Sequence, residues 1–155
     1  MKSHQYQTKL NWTGNRGEGT ADYRSYDRSY SVSIAGKPDL QGSADPAFRG
    51  DPSKWNPEEL FLASLSACHM LWYLHLCSDE GIHVLSYKDQ ANGVMEEMKN
   101  GSGKFAEVTL HPEVTISDSV NLEKAGQLHK MANEMCFIAN SCNFPVRHDA
   151  TLKAT

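Results

Sequence analysis

Four cysteines have the greatest capacity for chemistry in this chain: Cys68, Cys77, Cys136 and Cys142. A cysteine acts as a nucleophile or a metal ligand through its thiolate, which needs a nearby cation and access to solvent. A thiol without these features packs as a small hydrophobic residue. The first residues lack the apolar stretch of a signal peptide, so we expect a cytoplasmic protein whose thiols are kept reduced.

Cys68 falls about three turns inside a predicted helix, beyond the reach of that helix's dipole, because the effect fades within the first turn. A reactive Cys68 therefore needs charge from another residue. Arginine suits this role, since it is always charged and can donate two hydrogen bonds to an oxygen of a substrate. By position alone, a buried core thiol is the more ordinary interpretation of Cys68.

The helix that carries Cys68 has a clear predicted start. Asn56 can cap it, Pro57 suits the first helical position, and Glu59 stands where a capping box places an acid. The run from Leu60 to Cys77 is apolar on almost every side. We therefore expect this helix to be buried on most sides.

Strands and a loop are predicted before that helix. Residues 5–33 combine aromatic and β-branched residues with glycines, and Tyr30, Val32 and Ile34 alternate with small residues as in a half-buried strand. Residues 36–55 are rich in Gly and Pro, which predicts a long surface loop of the kind that often carries function.

After the helix, residues 84–95 and 105–116 predict a pair of strands joined by a flexible turn over residues 100–103. Apolar residues at helical spacing predict a second helix over residues 119–140. The tail, residues 144–152, is predicted to add a last strand.

Two motifs resemble those of one known family. The run Asn56-Pro57-Glu58-Glu59-Leu60-Phe61, followed by Ala67-Cys68, is similar to the NPEEL…AC signature of the OsmC/Ohr family. Near the end of the second predicted helix, Cys136-Phe137-Ile138-Ala139-Asn140 resembles the family's CPxSN element, with Phe137 and Ala139 in place of the usual Pro and Ser. The order of the predicted elements agrees as well, and the resemblance is to the OsmC-like branch.

The resemblance implies a two-layer α+β fold with antiparallel sheets and two long helices, in which two chains intertwine into a homodimer with the active sites between them. No linker separates two domains, so we expect one domain over residues 1–155. The resemblance also implies a thiol peroxidase that reduces organic hydroperoxides to alcohols. A cysteine sulfenic acid and an intramolecular disulfide form in turn, and an external dithiol reopens the disulfide.

Residue by residue, the resemblance assigns Cys68 as the cysteine that attacks the peroxide and Glu58 as the acid of the NPE element. Cys136 takes the place of the resolving cysteine, and Cys142 stays open as an alternative. The arginine is assigned to Arg49, which stands shortly before the NPEE run in the sequence Phe-Arg-Gly. In the implied mechanism the arginine favours the thiolate and polarises the peroxide, while Glu58 holds the arginine.

Other arginines stay open for the catalytic role. The Ohr branch places its arginine in an N-terminal Gly-Arg turn, which points to Arg16. Arg24 and Arg28 are further candidates.

The spacing of Glu58 and Cys68 has a geometric consequence. Ten residues of α-helix rise about 15 Å, so the two cannot share a site on one straight helix. Either the helix breaks between them, or Glu58 acts by another route, such as on Cys68 of a partner chain.

Composition excludes several classes of partner. The formal net charge is −4, and lysines and arginines are scattered singly, so the chain offers no basic surface to nucleic acid. No run approaches the 18 or more apolar residues of a membrane span. We expect no cofactor and no bound metal. Apolar residues near Cys68 suit alkyl hydroperoxides better than hydrogen peroxide, or are ordinary core: Phe61, Leu65, Met70 and Trp72.

Three other functions stay open. A metal site could draw on thiols and one imidazole, although no CxxC or HxxxH pair supports it: Cys68, His75, Cys77, Cys136 and Cys142. A Cys-His acyl-transfer enzyme would use His69, His75 or His148 as the base. A dimer of the same fold that binds small apolar ligands without turnover is the third.

Overall fold

The computed structural model describes residues 2–155. Their backbone forms two compact units, one ending at Leu60 and the other running from Phe61 to Thr155. The chain is mixed α+β with two helices and small sheets, as expected. The single domain over residues 1–155 stays a prediction.

The first unit contains one antiparallel sheet with strand order β1-β2-β3. Its strands are β1 (Lys9–Trp12), β2 (Tyr30–Ser33) and β3 (Leu40–Gly42). The prediction of an unbroken loop over residues 36–55 was wrong. That segment contains β3 and a 3₁₀ turn at Pro46–Phe48. Both are only 3 residues long, too short for a periodic signal in the sequence.

The second unit contains two more three-stranded sheets, with strand orders β4-β7-β9 and β5-β6-β8. The strands are β4 (Val84–Asp89), β5 (Asn92–Glu97), β6 (Gly103–Leu110), β7 (Pro112–Ile116), β8 (Val146–His148) and β9 (Thr151–Ala154). β4 pairs with β7, and β5 with β6, in antiparallel fashion, whereas β8 runs parallel to β6 and β9 parallel to β7.

Three sequence-based expectations for this unit are corrected. Purely antiparallel sheets were expected, but the two tail strands pair in parallel. Each of the two long strands predicted after the first helix is divided in two, and the tail forms two strands rather than one. The divisions fall where the Asp89 carboxylate accepts the backbone N–H of His111 at 2.7 Å and where Pro112 has no N–H to offer. The chain passes from one sheet to the other at these points.

Helix α1 (Pro57–Asp79) starts as predicted. The Asn56 side chain accepts the backbone N–H of Glu59 at 2.8 Å, and the Glu59 carboxylate accepts the backbone N–H of Asn56 at 3.1 Å, which is a reciprocal capping box. The helix then continues without a break through both units to Asp79.

The expectation that α1 is buried on most sides was wrong for the single chain. One stripe at four-residue spacing is buried: Leu65, His69, Tyr73 and Cys77. Other apolar residues stay open, and Leu71 is 62% exposed. The expectation that no run approaches a membrane span was also wrong, since α1 is long and apolar enough to cross a membrane, a property that core helices of soluble proteins share.

Helix α2 (Leu122–Met135) is shorter than the predicted 119–140. Before it, the Asp118 carboxylate accepts the backbone N–H groups of Val120 and Asn121, which holds those residues in a turn. After it, Cys136 is extended and a 3₁₀ turn follows. The buried face of α2 packs against the α1 stripe in a core of Tyr73, Cys77, Ile82, Val114, Ile116, Ala125, Leu128 and Ala132.

Gly50 is predicted to be essential for the loop that carries Arg49. A Cβ at Gly50 would lie 1.5 Å from the backbone oxygen of Ala44, which cannot swing away as a side chain would. Gly50→Ala should lower the free energy of unfolding in urea by about 1–3 kcal/mol. Gly126→Ala in α2 is the control, since the nearest atom lies at 3.9 Å, and it should stabilise by up to about 1 kcal/mol. Equal stability of Gly50→Ala and the wild type would contradict the prediction.

Candidate active site

The structure brings Cys68 and Cys136 together. Cys68 lies in the middle of α1 and is partly exposed, whereas Cys136 ends α2 and is 1% exposed. The Cys68 thiol lies near enough to the Cys136 thiol to raise its pKa. Two thiols near each other are what a cysteine pair needs for forming a disulfide.

The surroundings of Cys136 favour its protonated form. Burial, and then the hydrogen bond with Cys68, raise the pKa of Cys136 to about 11. The backbone N–H of Ala139 donates to the Cys136 sulfur at 3.4 Å and opposes this shift. Cys136 is therefore a protonated thiol at neutral pH. Cys68 is the more accessible of the two.

The other two cysteines are packed as core residues. Burial raises the pKa of both Cys77 and Cys142. The Cys142 thiol donates to the Ile138 carbonyl at 3.2 Å and packs beside Leu65 in a second core cluster. Cys68 contributes to the pKa shift of Cys136 and to neither of these two. This arrangement favours Cys136 over Cys142 as the partner of Cys68.

Aromatic side chains border the thiol pair. Trp72 lies one turn after Cys68 on α1, and Phe137 follows Cys136. Their rings meet edge to face at 5.6 Å, and Phe137 is 64% exposed. Next to them Leu71, Trp72 and His75 line an apolar hollow of about 190 Å³.

Two of the apolar residues expected beside Cys68 belong to the core. Leu65 is fully buried. Phe61 packs against the rings of Phe105 and Phe144 at 5.3 and 5.9 Å. Of that set, Trp72 is partly buried against the core and lines the apolar hollow.

Arg49 lies in the first unit, directly after the 3₁₀ turn, with a left-handed φ of 64°. Among residues 2–155 it is the one non-glycine residue with positive φ. It lines a polar pocket of about 340 Å³ together with Arg28, Lys54, Asp27 and Asp51. Its guanidinium makes no hydrogen bond or ion pair with any residue from 2 to 155, so it is free to bind an oxygen-bearing ligand.

The alternative arginines Arg16 and Arg28 are engaged in their own loop. Arg16 donates to the carbonyls of Ser25 and Arg24. Arg28 stacks on the rings of Tyr23 and Tyr26, at 4.2 Å from each, and donates to both of their carbonyls at 2.6 Å. Both guanidinium groups hold the backbone of the 13–28 loop. The guanidinium of Arg24, like that of Arg49, makes no hydrogen bond or ion pair within residues 2–155, so both stay candidates, and Arg49 is the one of the two that lines the polar pocket.

Glu58 stands in the first turn of α1 and faces Tyr30 of β2. Burial, with the Glu58 charge second, raises the pKa of Tyr30. The expected ion pair between Glu58 and an arginine is not formed by the residues from 2 to 155. In the single chain, the structure therefore joins Cys68 with Cys136 and does not join Glu58 with Arg49.

Sequence reasoning missed a buried pair of histidines on the same two helices. The Nε2 of His69 and the Nδ1 of His129 are 3.0 Å apart, and the two residues are 1% and 0% exposed. Their rings are parallel, Tyr73 stacks on His129 at 3.9 Å, and the ring of His148 lies within 6 Å of both. Each histidine stands among apolar positions of its helix, which gave no signal of a polar contact.

Burial lowers the pKa of His69 to about 4 and that of His129 to about 3. The nearby imidazole of His148 acts in the same direction on both, and the Asp89 carboxylate opposes the shift at His69. The pair is therefore neutral at physiological pH.

Two alternative chemistries find little support in the geometry. The described part of the chain, residues 2–155, contains no group of three or more His, Cys, Asp or Glu placed to hold a metal ion. An acyl-transfer enzyme would need a histidine base that hydrogen-bonds with the cysteine thiol. One ring nitrogen of His69 is bound to His129 and the other has no partner among residues 2–155, while His75 lies 3.5 Å from Asp79. No imidazole in the same range hydrogen-bonds with Cys68.

The sequence matches the family model described as OsmC-like protein over residues 50–150. No curated protein matches the sequence. The match confirms the family indicated by the NPEEL…AC motif.

Solved structures with the same fold come from several bacteria. An OsmC-like protein of unknown function from Vibrio cholerae is 29% identical, with a TM-score of 0.85, covering 96% of this chain and 99% of that chain. An organic hydroperoxide resistance protein from Elizabethkingia anophelis is 22% identical, with a TM-score of 0.70 and full coverage of both chains. An organic hydroperoxide resistance protein from Legionella pneumophila is 19% identical, with a TM-score of 0.67, covering 97% of this chain and 99% of that chain. The latter two likenesses show the fold.

The two thiols should differ in reactivity. With the reduced native protein and iodoacetamide at neutral pH, Cys68 should be alkylated at least about tenfold faster than Cys136, because Cys136 is buried and protonated. Peptide mass spectrometry over a time course measures both rates. In urea, where both thiols are exposed, the rates should converge. Faster alkylation of Cys136 in the native protein would contradict this description of the site.

Proposed function

We propose that this chain, which belongs to the OsmC-like protein family, is a two-cysteine thiol peroxidase that reduces organic hydroperoxides to alcohols. The observation that carries the proposal is the proximity of the partly exposed Cys68 to the buried Cys136. Proteins of the same fold that are named for organic hydroperoxide resistance support it.

In the first step the Cys68 thiolate attacks one oxygen of the hydroperoxide. An S–O bond forms, the O–O bond breaks, and the alcohol leaves after taking up a proton. The products are the alcohol and a Cys68 sulfenic acid. Arg49, whose guanidinium is free, is the residue we assign to bind the peroxide oxygens and to favour the thiolate.

In the second step Cys136 loses its proton and attacks the sulfur of the sulfenic acid. An S–S bond forms, the S–O bond breaks, and the leaving hydroxide takes the proton to give water. Because the two thiols lie near each other, we expect this step to need little movement. An external dithiol then reduces the disulfide and restores both thiols, so no bound cofactor is required.

The apolar surface beside the thiols suits a hydroperoxide with an alkyl or aryl group. Trp72 and Phe137 present exposed ring edges there, and the hollow beside them is lined by Leu71, Trp72 and His75. Apolar contact would add binding free energy for an organic peroxide that hydrogen peroxide cannot gain.

The working form is proposed to be a homodimer with Glu58 and Cys68 of different chains in one site. Because α1 is unbroken, the ten positions from Glu58 to Cys68 span about 15 Å of helix. The faces of α1 outside the buried stripe are rich in apolar residues such as Leu71. A second copy of the chain would cover these faces, so we assign α1 to the dimer interface and not to a membrane. We also propose that the protein is cytoplasmic and does not bind nucleic acid.

Cysteine variants test the peroxidase. Cys68→Ser should abolish consumption of cumene hydroperoxide in the presence of dithiothreitol. Without reductant, Cys136→Ser should consume about one peroxide per chain and stop at the sulfenic acid, since no disulfide can form. Cys142→Ser is the matched control and should turn over like the wild type.

Three results of this assay would redirect the proposal. Unchanged turnover of Cys68→Ser would overturn it. Loss of the disulfide in Cys142→Ser would move the resolving role to Cys142. Tight binding of an apolar ligand that survives Ser at both Cys68 and Cys136, with no turnover by the wild type, would favour the non-catalytic dimer.

Mixed dimers test the shared site. Glu58→Gln and Cys68→Ser should each lose activity alone. After joint unfolding and refolding in equal amounts, the mixture should recover about a quarter of wild-type turnover, because half of the dimers then contain one complete site of two. Steady-state peroxide consumption measures it, and sedimentation confirms the dimer. A monomer in solution, or no recovery in the mixture, would refute the shared site.

A further inference from the structure

We infer that the buried hydrogen bond between His69 and His129 is the positioning contact that keeps α2 in register with α1, so that Cys136 meets Cys68. The inference rests on the proposed function for the chemistry of the cysteines. It assigns the two histidines to the resolving step rather than to the attack on peroxide.

Two adjacent residues of α1 lie near two residues of the segment that contains α2 and its end. Cys68 meets Cys136, and the next residue of α1, His69, meets His129. Further along α1, Tyr73 stacks on His129. His129 lies within α2, and Cys136 directly follows Met135, the last residue of α2, so one helix carries both residues. A shift of α2 at His129 would therefore move Cys136 by a similar amount.

Apolar packing alone defines this register weakly. The α2 residues in the core beside Tyr73 include Ala125 and Ala132, whose small side chains give little resistance to sliding or rotation. A hydrogen bond of 3.0 Å between two ring nitrogens is directional, and it forms at one rotation and one offset of the helices.

The pair is maintained at a cost to stability. The remaining nitrogens, Nδ1 of His69 and Nε2 of His129, are buried without a hydrogen-bond partner among residues 2–155. Buried polar groups without partners destabilise a fold, and two apolar residues would pack there without that penalty. A polar pair in such a place therefore contributes directional geometry rather than stability.

The groups that face the pair keep it neutral. Asp89 of β4 faces His69, but its carboxylate is engaged by the Ser66 hydroxyl and by the backbone N–H of His111. His148 of β8 faces both imidazoles, and Tyr73 covers the ring of His129. Because neither imidazole is charged, we assign the pair a role through its hydrogen bond and not through proton transfer.

Four variants separate positioning from stability. His129→Leu removes the hydrogen bond and leaves His69 unpaired. His129→Asn restores a polar atom close to the place of Nδ1. Leu at both 69 and 129 replaces the polar pair by an apolar one. Val114→Ala, in the same core cluster, lowers stability without touching the pair.

The experiment follows two steps separately after a pulse of cumene hydroperoxide. Trapping with dimedone measures formation of the Cys68 sulfenic acid, and quenched mass spectrometry measures the Cys68–Cys136 disulfide. In His129→Leu and in the double Leu variant, sulfenic acid should form at the wild-type rate, while the disulfide should form about ten- to a hundredfold more slowly. His129→Asn should restore much of the rate, and Val114→Ala should resolve like the wild type.

Oxidation by diamide tests the positioning role of the histidines even if the protein does not react with peroxide. Diamide closes neighbouring thiols without peroxide, so the rate of the Cys68–Cys136 disulfide with diamide reports their positioning alone. Absence of sulfenic acid in the wild type would sink the peroxidase but leave this test intact. Wild-type disulfide rates in both Leu variants would overturn the positioning role, as would an equal slowing in Val114→Ala.

Discussion

The contact between α1 and α2 is the feature on which the candidate site depends. One stripe of α1, with its residues four positions apart, is buried against α2 and the sheets of the second unit: Leu65, His69, Tyr73 and Cys77. Cys68 lies beside this stripe rather than within it. It is therefore close enough to α2 to meet Cys136 and yet open enough to meet a substrate.

The end of α2 matters as much as its packing. Cys136 takes an extended backbone conformation instead of continuing the helix, and its thiol is buried against Cys68. The same change of direction brings Phe137 to Trp72 at the surface. One helix end thus supplies both a protonated partner thiol and part of the apolar surface that we assign to the substrate. In a single chain the apolar faces of α1 stay uncovered and Glu58 has no ion-pair partner among residues 2–155, and the proposed second copy of the chain would account for both.

Local features of the site could be predicted from the sequence, and long-range ones could not. The capping box of Asn56 and Glu59 is a contact between near neighbours in the sequence, so these residues predict the start of the helix directly. Cys68 and Cys136 were identified by family resemblance, because spacing alone favoured core thiols. The His69–His129 bond joins residues 60 positions apart, and neither helix pattern distinguishes an imidazole from the apolar residues around it. The tail strands were underestimated because parallel pairing with β6 and β7 depends on the whole sheet.

The central claim is that Cys68 reacts with peroxide and Cys136 resolves the product. Mass mapping of the reduced protein after one equivalent of cumene hydroperoxide, without added reductant, tests this claim most directly. We expect the oxidised chain to be lighter than the reduced chain by two hydrogens, with the peptides of Cys68 and Cys136 joined by a disulfide. An unmodified Cys68 after complete exposure to the peroxide would contradict it.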